Sequence, residues 1–402
     1  MRKKFIETMM LLLLIGGTVT AESTDVLAAT KTIGAYKCTK HDNKDSDAET
    51  IFNGVKKKGY TGVYLDASSK SITKDDFYDK TKKIKYWSSH GTLNGKLYGD
   101  AKKKVNFTIK DSFSWANGNL EFVFLAACNQ LNKDGGPLKK YAKAMRGNKA
   151  VRVVCGYHSK APAGGDNTVA KKFIEYAKTG ESVKSSWIKA NEYVAGLSGN
   201  QKDALAANYA VLTHTGNVQY SRFPGFPGKT YSRPNSSSKE IIRFRKNVDD
   251  ETILNAFANV KSSVKLGNGV RQIPIKFKVN SSCDEMVFND GNKISLDGGE
   301  LSNKKTKIGK QDLYNMVDEY IEESILNSDE LELNKNDMIV EPIVMDDALS
   351  ENSSETVVAY TVSFPHVVDD GVVKNDNVVA IVDEDGVKYS AINWSRIEGE
   401  EN

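Results

Sequence analysis

The sequence predicts an α/β fold in which a mostly parallel sheet carries helices on both faces, followed by a smaller α+β domain. Three observations lead there. From about residue 32 to 215, short apolar runs alternate with stretches of helical period, the pattern of strands joined by crossover helices. Beyond about residue 245 the pattern becomes alternating strands around one helix, as in an antiparallel sheet. Between them, Arg222-Phe223-Pro224-Gly225-Phe226-Pro227-Gly228 and the Ser-rich stretch after it mark a change of composition. With 402 residues, 39% of them hydrophobic, the chain can bury a core in each of two domains.

Met1-Arg2-Lys3-Lys4, the apolar run from Met9 to Ile15 and Val19-Thr20-Ala21 have the charged start, apolar middle and small-residue site of a secretory signal peptide. A second candidate cut follows Ala28 or Ala29. Residues 1–29 are therefore expected to direct export, giving a secreted, extracellular protein. No later apolar run is long enough to span a bilayer, and Glu398-Gly399-Glu400-Glu401-Asn402 is not an anchor-like tail.

The domain expected over 30–220 opens with a strand at Thr32 to Tyr36. A helix over Asp47 to Lys58 follows the capping box Ser46-x-x-Glu49, places Ile51, Phe52 and Val55 on one side and stops at Gly59. Tyr60 to Leu65 is a second strand, and a short helix lies near Asp75 to Lys82. Ile84, Tyr86 and Trp87 form a third strand leading through Ser88-Ser89 to His90-Gly91. Thr92 to Asn119, with Gly95, Gly99 and Gly118, suits a long loop or small hairpin over the strand ends. Leu120 to Ala127 is the strand that leads to Cys128, and a helix starts near Pro137, where proline suits the first turn. Ala150 to Cys155 is the next strand. After a loop from Gly156 to Gly165, Asp166 caps a helix bearing Val169, Phe173, Ile174 and Ala177 on one face. Gly180 ends it, Ser182 to Val194 forms another helix, and Tyr209 to Thr213 is a last strand. A linker is expected over 221–245. An acidic α+β accessory domain over 246–402 holds a helix from Gln311 to Leu326 and strands at Gln272–Val279, Thr356–Phe364, Asn377–Asp383 and Val387–Trp394.

The net charge of +4 hides a division. Up to Arg245 there are 41 Lys and Arg against 21 Asp and Glu; beyond it, 15 against 31. Either the basic and acidic domains dock within the chain, or each keeps a solvated, like-charged face. The four cysteines, Cys38, Cys128, Cys155 and Cys283, match no zinc spacing. Cys155 reads as a buried hydrophobe, and a Cys38–Cys283 bridge is open in an exported protein.

The two strands ending in His-Gly and Ala-Cys carry the chemistry. Neighbouring parallel strands set such ends side by side at one edge of an α/β sheet, where sites form. A cysteine nucleophile acts as thiolate, and the leaving amine needs a proton donor such as histidine. Gly91 lets backbone and substrate approach closely, and backbone N–H groups hold an oxyanion.

Tyr86-Trp87-Ser88-Ser89-His90-Gly91 and Phe122-Val123-Phe124-Leu125-Ala126-Ala127-Cys128 resemble the paired motifs of the caspase-like cysteine peptidases (clan CD), which include caspases, clostripain, gingipains, legumain and separase. Val151 to Cys155, Asp166, Phe173, Gly180, Ser182, Trp187 and Ala190 extend the likeness to the bacterial caspase-like domains called CHAT. The resemblance covers about residues 32 to 215. It implies a caspase-like fold with Cys128 as nucleophile, His90 as the acid that protonates the leaving amine, and the amides of Gly91 and Cys128 as oxyanion hole. In some relatives a pocket acid selects Lys or Arg before the cut, and Asp166 lies in that region; a helix-cap role explains it equally. Two features depart from the pattern: Ser88-Ser89 interrupts the apolar run, and Asn129-Gln130 follows the cysteine.

His158 either lines the site or sits in a solvated loop. His41, His214 and His366 are isolated and read as structural or surface groups. Lys56-Lys57-Lys58 and Lys102-Lys103-Lys104 lack interleaved aromatics, so solvated faces are expected and not nucleic-acid binding. No calcium loop is recognisable, and neither metal nor cofactor is expected. The expected partner is a peptide or protein substrate. Two functions of different class follow: an exported cysteine endopeptidase regulated by its acidic C-terminal domain, or a catalytically inactive caspase-like binding module at the bacterial surface.

Overall fold

Apolar runs of five or six residues are too short for buried helices, and the chain uses them as strands that the intervening helices return in parallel. The computed structural model describes residues 31–39, 46–100, 105–196, 204–234, 237–246, 260–261, 271–275, 277–279, 285–288, 293–295, 300–324, 331, 333–350, 354–368 and 371–398. The expected signal segment 1–29, His41, Lys102-Lys103-Lys104 and Cys283 lie outside the described residues.

The first nine strands are β1 (Thr32–Lys37), β2 (Thr61–Asp66), β3 (Ile84–Ser88), β4 (Lys96–Tyr98), β5 (Asn106–Thr108), β6 (Phe122–Ala126), β7 (Val153–Tyr157), β8 (Tyr209–His214) and β9 (Glu240–Arg245). Then come β10 (Val260–Lys261), β11 (Arg271–Ile275), β12 (Phe277–Val279), β13 (Glu285–Phe288), β14 (Lys293–Ser295), β15 (Ile339–Asp347), β16 (Thr356–Val368), β17 (Gly371–Asp383) and β18 (Gly386–Glu398). The α-helices are α1 (Asp47–Lys56), α2 (Lys74–Tyr78), α3 (Pro137–Ala144), α4 (Asp166–Lys178), α5 (Val183–Gly196) and α6 (Lys310–Ser324).

The large sheet runs β2-β1-β3-β6-β7-β8-β9-β15-β16-β17-β18-β11. Its first five strands are parallel, with Ser88 opposite Ala126 at the last register pair of β3 and β6. β8 reverses direction against β7, and β9, β15, β16, β17 and β18 follow antiparallel. The protein is mixed α/β, its sheet parallel at one end and antiparallel at the other.

Alternation within each strand divides the core. Ile33, Tyr86, Phe122, Phe124 and Cys155 face α1, α4 and α5, while Tyr36, Trp87, Val123, Leu125 and Val154 face α2, α3 and the β4–β5 hairpin. Ser46 Oγ caps α1 by accepting from the Glu49 amide at 3.0 Å, and Gly59 takes φ +83° just beyond its end. The loop expected over Thr92–Asn119 contains the hairpin.

The expected linker over 221–245 is corrected at its end: Glu240–Arg245 is a fully buried strand that joins β8 to β15. Ile241 and Ile242 signal a strand, but Arg243 and Arg245 between apolar residues read as surface. Both are buried because they have partners. Arg243 hydrogen-bonds Gln219 at 2.6 Å, and Arg245 pairs with Glu192 at 3.2 Å and with Glu341. Further pairs link the basic and acidic parts, including Lys133 with Asp346 and Lys239 with Asp347 at 3.8 Å.

Candidate active site

The site is built at the carboxyl ends of β3 and β6. His90 and Cys128 each lie two residues beyond the Ser88–Ala126 register pair, on strands that neighbour one another at roughly 4.8 Å. Ser88 and Ser89 do not break the strand's course: both are buried, Ser88 O accepts from the Cys38 amide at 2.7 Å, and Ser89 N donates to Ala126 O at 3.2 Å.

Gly91 packs backbone to backbone on the cysteine. A Cβ at this position would lie 2.2 Å from the Cys128 carbonyl oxygen, a collision that only glycine avoids. The amides of Gly91 and Cys128 donate to no described residue, so both remain open to an incoming oxygen. The turn after the cysteine is held from two sides. Asn129 takes φ +62°, a left-handed conformation that asparagine tolerates, and donates its amide to Ser159 O at 2.8 Å. Gln130, fully buried, donates from Nε2 to Cys128 O at 3.2 Å and accepts from the Tyr141 hydroxyl of α3 at 2.7 Å. The residues that depart from the caspase-type motif therefore have structural work in this chain.

The loop after β7 completes the surroundings of the thiol. Ala161 N donates to Cys128 Sγ at 3.3 Å. Asn208, buried, fixes this loop by donating from Nδ2 to Lys160 O at 3.0 Å and accepting the His158 amide at 3.0 Å, and Asn132 Nδ2 donates to His158 O at 2.7 Å. A half-buried thiol with one backbone donor, an imidazole on the adjacent strand end and two open amides are the parts that acyl transfer needs.

A family model described as a domain of unknown function (DUF6345) matches residues 64–245. No curated protein matches the chain. The matched stretch holds His90, Gly91, Cys128 and Asp166, and ends with β9.

Asp166 is the first residue of α4 and not its cap: Gly165 takes the cap position, and Asp166 Oδ1 accepts from the Asn167 amide at 2.8 Å. Sequence reasoning missed its companion, Asp47. That carboxylate, buried in the first turn of α1, accepts from the Tyr86 hydroxyl at 2.9 Å. Burial first, then the charges of Asp47 and Asp166 push the phenols of Tyr86 and Tyr157 well up, and the Cys128 sulfur adds to the effect on Tyr157. The Tyr157 hydroxyl itself donates to Asn191 Oδ1 of α5 at 2.9 Å. An acidic residue in a first helical turn reads as a solvated dipole partner, so no sequence signal marked Asp47 as buried.

His158 turns its ring toward Phe244 of β9, 5.3 Å between centroids. Cys38 and Cys155 are buried free thiols, and burial pushes both well up. Among the described residues no three His, Cys, Asp or Glu side chains gather as a metal site, and no helix is long and apolar enough to cross a membrane.

Proposed function

We propose that the chain is an exported cysteine endopeptidase of caspase-like fold. The observation that carries this reading is the close packing of Gly91 on the Cys128 carbonyl, which sets a His-Gly strand end against an Ala-Cys strand end with both amides open. The Cys128 thiolate attacks the scissile carbonyl carbon, and the amides of Gly91 and Cys128 hold the oxyanion. As the tetrahedral intermediate collapses, the C–N bond breaks and His90 gives a proton to the departing amine. His90, now neutral, takes a proton from a water that attacks the thioester carbon; the C–S bond breaks, the acid leaves, and the Cys128 thiolate and protonated His90 are restored.

Asp166, at the start of α4, supplies the negative charge that favours Lys or Arg before the cut. The acidic C-terminal part restrains the catalytic loop through Lys133, five residues after Cys128, which is held by Asp346. The test is cleavage of a diverse peptide library by the purified mature chain under reducing conditions, beside Cys128→Ala. Cleavage that the substitution abolishes, clustered after basic residues, is expected. A folded chain that cleaves nothing overturns the peptidase and leaves the binding module at the bacterial surface.

A further inference from the structure

We propose that the open cavity beside Gly91 receives an aliphatic side chain on the leaving-group side of the scissile bond, with Leu93 as its wall and Lys96 rejecting basic residues. This rests on the peptidase reading above and adds a substrate class to it.

The cavity measures about 450 Å³, opens widely to solvent and is lined by Thr92, Leu93, Asn94, Lys96 and Gly135, a shape suited to one side chain of a bound peptide. Its walls come from the two loops that carry the candidate catalytic residues. On the histidine side, Gly91 bridges Leu97, Thr92 N donates to Lys96 O at 3.1 Å, and Gly95 N donates to Thr92 O at 2.9 Å. These bonds tie the turn to Gly91. On the cysteine side, Gly135 fits beneath Leu93, where a Cβ would stand 2.1 Å from the Leu93 carbonyl oxygen. The loop after Cys128 is thereby fixed against the loop after His90.

Single exposed leucines are ordinary on protein surfaces. Leu93 differs by position. It is 56% exposed, more than Val63, Ile339 or Val367, the other large hydrophobics that face solvent among the described residues, and it lies two residues from the Gly91 amide. His90 protonates the leaving amine, so the departing segment leaves along its side of the site. An extended peptide advances about 3.3 Å per residue, which brings the first or second residue beyond the cut over Thr92 and Leu93. A leucine, isoleucine, valine or methionine there covers the Leu93 side chain. Lys96 has no ion-pair partner among the described residues, and its ammonium repels Lys or Arg in the same place.

The experiment sequences the new amino termini released from the peptide library by the full mature chain. Aliphatic residues are expected at the first or second position. Leu93→Ser, a change at an already exposed side chain, is expected to lower kcat/KM for aliphatic peptides roughly tenfold relative to matched serine peptides. Lys96→Glu is expected to admit Lys and Arg there. Cys128-dependent cleavage with no preference beyond the cut, or a preference that Leu93→Ser leaves unchanged, overturns the subsite alone. Absence of any Cys128-dependent cleavage overturns the peptidase reading and the subsite with it.

Discussion

At position 91 a single hydrogen separates a working geometry from a collision. Any side chain there meets the Cys128 carbonyl, so Gly91→Ala must push the two loops apart. Overpacking of this kind costs about 1–3 kcal/mol, and a displacement of about 1 Å at a reacting centre costs roughly a hundredfold in rate. Gly91→Ala is therefore expected to lower the denaturation midpoint and to cut kcat by about two orders of magnitude; a variant with wild-type kcat contradicts the assigned role. The strand ends at His90 and Cys128 were legible because each closes an apolar run with a residue of reactive type, and Gly91 because it follows the histidine directly. Asp47 and the Ala161 amide were not. The first looks like any acidic residue of a first helical turn, and the second is backbone that only a folded loop directs at a sulfur.

Among the elements, α5 carries an unusual burden in its first turn. Lys184 is fully buried, 3.8 Å from Glu300, and its amine is held down at about 7, chiefly by burial and then by Arg243. Its folded value lies below the ordinary 10.5, so between these values the unfolded chain binds the extra proton and stability rises with pH. Below about pH 7 the buried charge is fully present and its cost is greatest. Lys184→Met is expected to stabilise the protein most at pH 6–7, with an advantage that shrinks toward pH 9–10 in urea titrations. A difference independent of pH contradicts this assignment. Helix α1 and the strands leading to His90 and Cys128 followed from local pattern, through the Ser46 cap and the apolar runs. β9 did not, because the Pro-, Gly- and Ser-rich run before it marks a boundary there, and the partners that bury Arg243 and Arg245 come from remote parts of the chain.

Across the whole molecule, the sequence suggested two oppositely charged bodies, whereas the sheet passes from one part to the other through β9 and β15. Arg245 stands at this junction between Glu192 and Glu341. Buried pairs are little screened by salt, and removing one partner of such a pair costs about 3–5 kcal/mol. Arg245→Met is expected to destabilise the entire chain by that order in a single unfolding transition, with little change between 0.1 and about 1 M salt. Two separate transitions contradict a shared sheet. The charge split was visible in the composition, but composition cannot tell docking faces from strands of one sheet. The same junction constrains how the chain is made. β9 pairs with a strand about 100 residues later, Arg245 opposite Ile343, and such long-range pairing forms late and slowly. Until β15 has left the ribosome, β9 presents an open edge of Ile241, Ile242 and Phe244. A newly made chain therefore depends on its own C-terminal residues to cover a sticky edge, and a truncated product invites aggregation before it can fold.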